Sequence, residues 1–253
     1  MVTGERVTTA AGGFNPTFQR HVAAYRLCAP LLPVGNPPTR VLDLGCGAGH
    51  SFSELAPRES VGVDLDAAAL AGQPRETVAA DMRALPFAGG SFASVLAVQS
   101  IEHVGDPERV VAEARRVLEP GGTAVWVTPN RLTFGRPDEI IDPYHWVEYD
   151  AAQLYALLAP AFASVELRGI AGSPRYADFD RAEKERMERV LRLDAFGLRR
   201  RLPRRARQRA YDAALTAARR RTSAAGAAIT PEDFSLVTGG LDGMLDLVAV
   251  CRA

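Results

Sequence analysis

The stretch that decides the fold reads Val-Leu-Asp-Leu-Gly-Cys-Gly-Ala-Gly-His at residues 41–50 and continues, after a gap of helix length, with Val-Gly-Val-Asp-Leu-Asp at residues 61–66. Its first four residues form an apolar run that predicts a short, buried parallel strand. The glycines that follow allow a tight turn, in which backbone N–H groups can approach a ligand closely. The second strand ends on Asp64, whose carboxylate can accept hydrogen bonds from ribose hydroxyls. These features together predict a nucleoside-binding βαβ unit.

The glycine turn distinguishes two kinds of nucleotide enzyme. Dinucleotide-binding enzymes carry Gly-x-Gly-x-x-Gly and need no acid before it, because their turn binds a pyrophosphate. Here the spacing is Gly-x-Gly-x-Gly and Asp43 precedes the turn, which suits a cationic ligand. The run Asp-Leu-Gly-Cys-Gly-Ala-Gly resembles the first motif of the class I S-adenosylmethionine-dependent methyltransferases, whereas a nicotinamide or flavin enzyme is the alternative.

Later stretches carry the same resemblance. In that family an acid after the third strand accepts a hydrogen bond from the adenine amino group and the next side chain lies along the ring, roles that Asp81 and Met82 match. Further family features are the Leu-Pro-Phe of residues 85–87, the Ser-Phe of residues 91–92 and the Leu-Glu-Pro-Gly-Gly of residues 118–122. Directly after the Ser-Phe, Ala93 stands where the family usually has an acid. The resemblance implies an enzyme with S-adenosylmethionine as its cofactor. The residues expected to bind this cofactor are Asp43, Gly45, Cys46, Gly47, Gly49, Asp64, Leu65, Asp81, Met82 and Gln99.

The resemblance also implies the fold and its division. The expected fold is α/β, a Rossmann-like, doubly wound, seven-stranded sheet whose last strand is antiparallel, with an α-helical insertion between strands six and seven. Residues 1–38 are expected to form an N-terminal helical cap, residues 39–171 and 244–253 the cofactor-binding core, and residues 172–243 the insertion. The helix in the cap either covers one end of the sheet or closes over the cofactor.

Bulk composition sets broad limits on partners and compartment. The 253 residues include 30 basic and 30 acidic side chains, and the resulting zero net charge does not favour a general polyanion binder. Three widely spaced cysteines without a metal-ligand pattern are typical of a reducing compartment. No apolar run approaches the ~18 residues that a membrane span needs. The sequence therefore predicts a cytoplasmic protein with no transmembrane segment.

The residues after the fourth predicted strand indicate the type of acceptor. Relatives that methylate a planar amine carry Asn/Asp-Pro-Pro-Tyr/Phe there, whereas this chain has Gln-Ser-Ile-Glu at residues 99–102. We therefore expect O-methylation of a hydroxyl, which needs a base. His103 and His145 are the candidate bases, because a neutral imidazole can take a proton near pH 7. Glu148, an acidic residue close to His145 in the sequence, is a further candidate catalytic residue. The alternative for His103 is a structural role, as a packing and capping residue after the fourth strand. The alternative for His145 is that it anchors the loop after the fifth strand.

A metal site is the second hypothesis for these histidines. Ubiquinone-pathway O-methyltransferases and small-RNA 2′-O-methyltransferases hold a divalent ion with Glu-x-x-Glu-His, and the RNA group adds a later histidine. This chain matches with Glu102, His103 and His145, while Gln99 replaces the first carboxylate. A Mg²⁺ ion there could polarise an acceptor hydroxyl.

The long segment after the fifth strand suggests an acceptor. Tyr144, Trp146 and Tyr149, with acids among them, are suited to stacking on sugar rings, although they could simply pack the loop onto the domain. The segment resembles that of bacterial sugar and cell-envelope methyltransferases, which implies a saccharide or polysaccharide-precursor hydroxyl. A lipid quinone or natural-product hydroxyl is the alternative acceptor, and a cofactor-binding regulator without catalysis is the alternative function.

The insertion is rich in arginine. Residues 195–221 hold ten arginines and one acid, a local charge of +9. Three interpretations remain open: a solvated face that could also form a homodimer contact, a lid over the acceptor, or a surface for RNA or an anionic membrane. No aromatic residues are interleaved as in RNA-binding modules, so a nucleic-acid partner is not expected.

Overall fold

A computed structural model describes residues 11–136, 139–192, 202–219 and 223–253. Its centre is one mixed sheet built from strands of three to twelve residues. The strands are β1 (Arg40–Leu44), β2 (Glu59–Asp64), β3 (Thr77–Ala79), β4 (Phe92–Val98), β5 (Leu118–Pro129), β6 (Ser164–Gly172), β7 (Phe234–Val237) and β8 (Asp246–Arg252). Their order across the sheet is β3-β2-β1-β4-β5-β8-β6-β7.

The pairing pattern confirms the predicted doubly wound α/β fold. Strands β1 to β5 pair in parallel, and β8 runs antiparallel to both β5 and β6. The chain proceeds outward in one direction from β1 to β3 and then starts again on the other side of β1 with β4. Ligands of such sheets bind at this reversal, beyond the carboxyl ends of the strands.

The number of strands differs from the prediction. The segment expected to be purely helical contains β7, which extends the sheet by pairing antiparallel with the end of β6. Its four residues, Phe-Ser-Leu-Val, alternate as a strand should, with Phe234 buried and Leu236 half-buried. A run this short gives too little periodicity to be recognised in the sequence, and the sheet therefore has eight strands.

Helices cover both faces of the sheet. They are α1 (Asn15–Cys28), α2 (Ala67–Leu70), α3 (Pro107–Val117), α4 (Ala151–Leu158), α5 (Pro174–Leu191), α6 (Arg204–Arg219) and α7 (Ala224–Ala227). Local sequence explains some of their starts: Pro107 occupies the first turn of α3, where a missing N–H costs nothing. At α4, Asp150 and Gln153 form a reciprocal capping box.

The core has two halves, one on each face of the sheet. Side chains alternate along β1, so Leu42 and Leu44 pack with α3 and α4 on one face while Val41 packs with α1 on the other. The predicted N-terminal helix thus covers the sheet through its buried residues, among them Ala24 and Tyr25. Among the described helices, none combines the length and apolar character needed to cross a membrane.

The insertion contains α5, α6, α7 and β7. The two predicted charged helices, at residues 178–194 and 205–221, correspond to α5 and α6, which begin four residues and one residue earlier. Part of the arginine-rich segment, residues 195–201 and 220–221, lies outside the described residues. The division of the chain into cap, core and insertion stays a prediction.

Candidate functional site

One large cavity, of about 1330 Å³, lies beyond the carboxyl ends of β1, β2, β4 and β5. The ends of these strands form one side of it, and α1, α5 and α6 contribute the other. Between them lie several residues of the segment 139–149, which we call the aromatic loop. Typical ligand pockets measure ~300–1,000 Å³, so this cavity has room for a cofactor and an acceptor together.

The predicted glycine turn lies in this cavity and is fixed to β2. Gly45 and Cys46 both donate to the carbonyl of Val63, at 2.8 and 2.9 Å, and the amide of Gly47 donates to Oδ2 of Asp64 at 2.9 Å. Gly45 has φ +76°, and a Cβ there would lie 2.4 Å from Cβ of Ser100, so the turn needs glycine at this point.

The carboxylate of Asp64 joins the turn to the end of β2. Its second oxygen, Oδ1, accepts from the amide of Asp66 at 2.9 Å. Both oxygens of Asp64 thus accept from backbone amides, which fix the orientation of the carboxylate at the end of β2. Asp64 is 8% exposed and lines the cavity, where the predicted role requires it.

Asp43 does not line the cavity, which corrects the expectation that its carboxylate faces a cationic ligand. It is fully buried beneath the turn, accepts a 2.7 Å hydrogen bond from the hydroxyl of Tyr25, and pairs with Arg75 at 2.8 Å. Burial raises the pKa of Asp43, and its two partners offset that effect in part. Asp43 therefore supports the turn from below.

A stability measurement tests this structural role. Asp43→Asn should lower the free energy of unfolding by about 3–5 kcal/mol, because it leaves the guanidinium of Arg75 buried without a counter-charge. Urea unfolding followed by circular dichroism measures the change. The control is Glu76→Gln, which removes an exposed ion pair to Arg40 and should cost at most about 1 kcal/mol. Equal small losses from both variants would contradict the assigned role.

Gly49 also lies outside the cavity lining. Its backbone has φ +66°, and a Cβ would overlap the amide group of Gln73. That amide donates to the carbonyl of Gly47 at 2.8 Å. Gly49 therefore makes room for a side chain that braces the turn.

The predicted adenine-binding residues Asp81 and Met82 line the cavity, as does Leu65 from the general cofactor set. Leu65 is 74% exposed at its rim, and Met82 reaches across the turn toward Gly45. Asp81 accepts several hydrogen bonds from Arg83, the shortest at 2.6 Å, and these lower the pKa of its carboxyl. The side chain of Arg83 therefore competes with any ligand for this carboxylate.

Gln99 occupies the end of β4 with an unusual backbone. Its φ of +48° lies in the left-handed region, a sparsely populated conformation for a non-glycine residue. Its amide group donates to Asp246 at 3.2 Å, and Arg20 binds the same carboxylate at 2.6 and 2.8 Å. Gln99 and Arg20 both line the cavity. Sequence analysis missed Arg20, because its partner Asp246 lies 226 positions away.

Glu102, His103 and His145 meet in space although the last comes from a different segment. Each offers a ligand atom, and these atoms all lie within 4.8 Å of one another. Glu102 is 1% exposed; Oε2 accepts from the hydroxyl of Thr128 at 3.0 Å, and Oε1 has no hydrogen-bond partner among the described residues. An unsatisfied buried carboxylate oxygen is costly and needs a partner such as a water molecule or a cation.

Each histidine of this cluster is oriented through Nδ1. His145 bonds Glu148 at 3.0 Å, and His103 lies 3.4 Å from the carbonyl oxygen of Tyr144. Such contacts at Nδ1 direct the other nitrogen, Nε2, toward a ligand or a proton. Glu148 itself is buried and does not line the cavity, so its predicted catalytic role can only be exerted through His145.

Charges in the cluster influence one another. Burial raises the pKa of Glu102, and the two neighbouring imidazoles offset only part of that effect. Burial would by itself lower the pKa of His145, but the hydrogen bond to Glu148 and the nearby Glu102 and Asp142 outweigh it and raise that pKa.

Two further histidines line the cavity near the glycine turn. The rings of His21 and His50 lie 4.5 Å apart. Burial, together with His50, lowers the pKa of His21 to about 3, and burial lowers the pKa of His50 to about 4. Both are therefore neutral near pH 7. His21 lies on α1, the helix that the sequence predicted could close over the cofactor, whereas the sequence gave His50 no role.

The predicted aromatic cluster is divided by the structure. Tyr144 and Trp146 line the cavity, and the indole of Trp146 is 56% exposed. Tyr149 is 4% exposed and belongs to the core beneath β5, so its predicted contact with an acceptor is corrected. The alternation of polar and aromatic residues in this loop did not indicate which rings point inward.

The sequence is similar to those of known methyltransferases. Residues 42–126 match the family model described as a methyltransferase domain. A probable S-adenosylmethionine-dependent methyltransferase of Mycobacterium tuberculosis is 34% identical over 189 residues, covering 71% of this chain and 67% of the relative. The ubiquinone biosynthesis O-methyltransferase of Hahella chejuensis is 34% identical over 107 residues, 38% of this chain and 45% of that protein.

A solved structure supports the fold. The crystal structure from Thermotoga maritima described as a SAM-dependent methyltransferase, possible histamine N-methyltransferase, superposes with a TM-score of 0.63 at 17% identity, covering 94% of this chain and 92% of that one. This likeness concerns the fold alone. Given the glycine turn, Asp64 and the extent of the mycobacterial match, the chain belongs to the S-adenosylmethionine-dependent methyltransferases.

Proposed function

We propose that this enzyme methylates a hydroxyl of a small acceptor, namely a saccharide or a cell-envelope polysaccharide precursor. The observation that carries the proposal is the cluster of Glu102, His103 and His145, which lies in the same cavity as the glycine turn and Asp64. Methyl transfer to a hydroxyl requires a group that takes the hydroxyl proton or makes the hydroxyl more acidic. The side chains of this cluster are candidates for that group.

The residues at the strand ends fit S-adenosylmethionine. The position of a Cβ on Gly47 is open space, and the carboxylate of Asp64 lines the cavity, where a ribose hydroxyl could donate to it. Leu65 and Met82 offer apolar surfaces for the adenine, while Gln99 and the glycine turn line the cavity where the rest of the cofactor would lie. When bound, the cofactor supplies a methyl group on a positively charged sulfur, a leaving group that is already activated.

The protein then has three tasks: to align the acceptor, to exclude water and to manage one proton. As the O–CH₃ bond forms and the S–CH₃ bond breaks, the hydroxyl proton must leave. In one version of the mechanism, Nε2 of His145 takes it directly while Glu148 holds Nδ1 and stabilises the imidazolium, as in other base–carboxylate pairs.

In the second version Glu102, His103 and His145 would hold a divalent ion, which would lower the pKa of the hydroxyl. Three observations favour it: the unsatisfied Oε1 of Glu102, the orientation of both imidazoles through Nδ1, and the spacing of the three ligand atoms. One carboxylate and two imidazoles suit Mn²⁺ or Zn²⁺ at least as well as the Mg²⁺ suggested by sequence. His145 cannot be ligand and base through the same nitrogen, so the two versions exclude each other.

Metal removal decides between them. After stripping with a chelator, we expect turnover to fall about 100-fold and to recover on adding Mg²⁺ or Mn²⁺, because a Lewis acid contributes several kcal/mol to such a step. Mn²⁺ affinity, measured by electron paramagnetic resonance, should fall in Glu102→Gln. Full turnover in excess chelator after stripping would remove the metal version and leave His145 as the base.

The acceptor proposal rests on the shape and chemistry of the cavity. Tyr144 and Trp146 present aromatic faces, and acidic side chains such as Asp180 and Glu183 share the lining, a combination suited to sugar rings. A quinone or natural-product hydroxyl is the second candidate, favoured by the similarity to the ubiquinone biosynthesis O-methyltransferase.

Labelled methyl transfer tests the acceptor class. Bacterial extract is separated into saccharide, lipid, protein and RNA fractions, and each is incubated with enzyme and labelled S-adenosylmethionine. Label in the saccharide fraction is the expected result. Label confined to the lipid fraction would move the proposal to the second candidate. Tight cofactor binding without label in any fraction would instead favour a regulator without catalysis.

A further inference from the structure

We propose that Arg204, Tyr211 and Asp212 on α6 are positioning residues, which hold the aromatic loop so that His145 stays in place for the acceptor. The inference rests on the proposed function in one respect only, namely the role of His145. It gives the arginine-rich insertion a specific task beyond that of a charged, solvated face.

Two hydrogen bonds cross between α6 and the aromatic loop. The hydroxyl of Tyr211 donates to Oδ2 of Asp142 at 2.8 Å, and the hydroxyl of Tyr144 donates to Oδ2 of Asp212 at 2.7 Å. Each segment thus supplies one tyrosine and one aspartate to a reciprocal pair. Charge-assisted O–H···O⁻ bonds of this length are stronger than neutral ones, and two together fix both position and orientation.

Arg204 makes the third contact at the start of α6. Its guanidinium lies 3.9 Å above the ring of Trp146 and donates to the carbonyls of Pro143 and Tyr144, at 2.9 and 3.2 Å. Arginine can stack on an aromatic face and donate in its plane at the same time, which lysine cannot do. The guanidinium therefore holds the loop on either side of His145.

The part of the aromatic loop that Arg204 holds also contacts Glu102 and His103 of the candidate catalytic cluster. The carbonyl of Tyr144 that accepts from Arg204 is the one that faces Nδ1 of His103. The amide of Trp146 donates to the carbonyl of Glu102 at 2.7 Å. A displacement of α6 would therefore be transmitted to the whole cluster, and not to the loop alone.

Polar contacts, more than apolar burial, attach α6 to the domain. Among its described side chains, residues 204–216, none is buried. Two of them, Tyr211 and Leu215, line the cavity. An element with little buried apolar surface belongs to the less stable part of a structure and can open locally. The three polar contacts consequently determine whether the acceptor side of the cavity is formed.

Histidine resonances provide a direct test, because the chain has only four histidines. Imidazole ¹H–¹³C spectra, assigned with single His→Gln variants, are compared for the wild type, Arg204→Gln and Tyr211→Phe. Signals of His145 and His103 should shift or broaden in both variants, whereas those of His21 and His50 should stay in place. The matched control is Arg205→Gln, since this neighbouring arginine is exposed and should leave all four signals unchanged.

Tryptophan quenching supplies the second measurement. The chain has two tryptophans; Trp126 is fully buried and Trp146 is half-exposed under Arg204. Quenching by acrylamide should rise in Arg204→Gln and remain at the wild-type level in Arg205→Gln. Unchanged quenching, or His145 and His103 signals that do not move in either variant, would overturn the proposal. Both readouts use the enzyme without acceptor, so failure of the proposed function would appear separately, as absent methyl transfer.

Discussion

His145→Gln is expected to lower kcat by about 100-fold or more while leaving the affinity for S-adenosylmethionine unchanged. A positioned base contributes ~10²–10⁴-fold to a reaction that removes a proton, and loss of a metal ligand would have an effect of similar size. The expectation holds for both versions of the mechanism, because each uses Nε2 of this imidazole. Glutamine keeps a polar side chain of similar length, but it can neither take the proton nor replace the imidazole.

Initial-rate kinetics with the acceptor fraction, together with calorimetry for the cofactor, measure this change. The melting temperature serves as the control for folding, since His145 is largely buried. Wild-type kcat in a folded His145→Gln protein would contradict the mechanism. The cluster would then have a structural role, and the search for a base would move to other residues of the cavity.

Asp64→Ala is expected to raise the Kd for S-adenosylmethionine by about 100-fold or more. The carboxylate accepts from the amides of Gly47 and Asp66, which fixes the glycine turn, and it is the acid expected to bind the ribose. Hydrogen bonds to charged groups contribute about 1.5–3 kcal/mol each, and every 1.4 kcal/mol is a tenfold change in affinity. Removing the carboxylate also leaves the Gly47 amide without its partner.

Isothermal titration calorimetry with S-adenosylmethionine measures the affinity. The matched control is Glu59→Gln, an exposed acid at the opposite end of β2, which should bind as the wild type does. A Kd for Asp64→Ala equal to that of the control would show that the ribose is held elsewhere, and the assignment of the cofactor site would have to change.

Local sequence predicts those parts of the site that neighbouring residues determine. The glycine turn needs only a strand, positive φ angles and an acid at the end of the next strand, all of which lie between residues 41 and 66. The cluster of Glu102 and His103 follows a strand directly, so its place at the sheet edge could be predicted. Its meeting with His145 was expected only because of the family resemblance.

Long-range contacts explain what sequence analysis missed. Asp43 was expected to face the cofactor, but Tyr25 and Arg75 take both of its oxygens from distant parts of the chain. Tyr149 carries the same kind of side chain as Tyr144, yet only packing decides which of them reaches the cavity. The contacts of Arg204 connect residues about sixty positions apart, and no periodic pattern in either segment indicates them.

The identity of the product shows directly whether this cavity methylates a hydroxyl. Enzyme is supplied with ¹³C-methyl-labelled S-adenosylmethionine and the saccharide fraction, and the labelled carbon is located by two-dimensional NMR. A methyl ether on a sugar hydroxyl, formed by the wild type and lost in both His145→Gln and Asp64→Ala, is the predicted result. Label on nitrogen or on sulfur, or an ether that still forms in His145→Gln, would contradict the central claim that this cavity methylates a hydroxyl through His145.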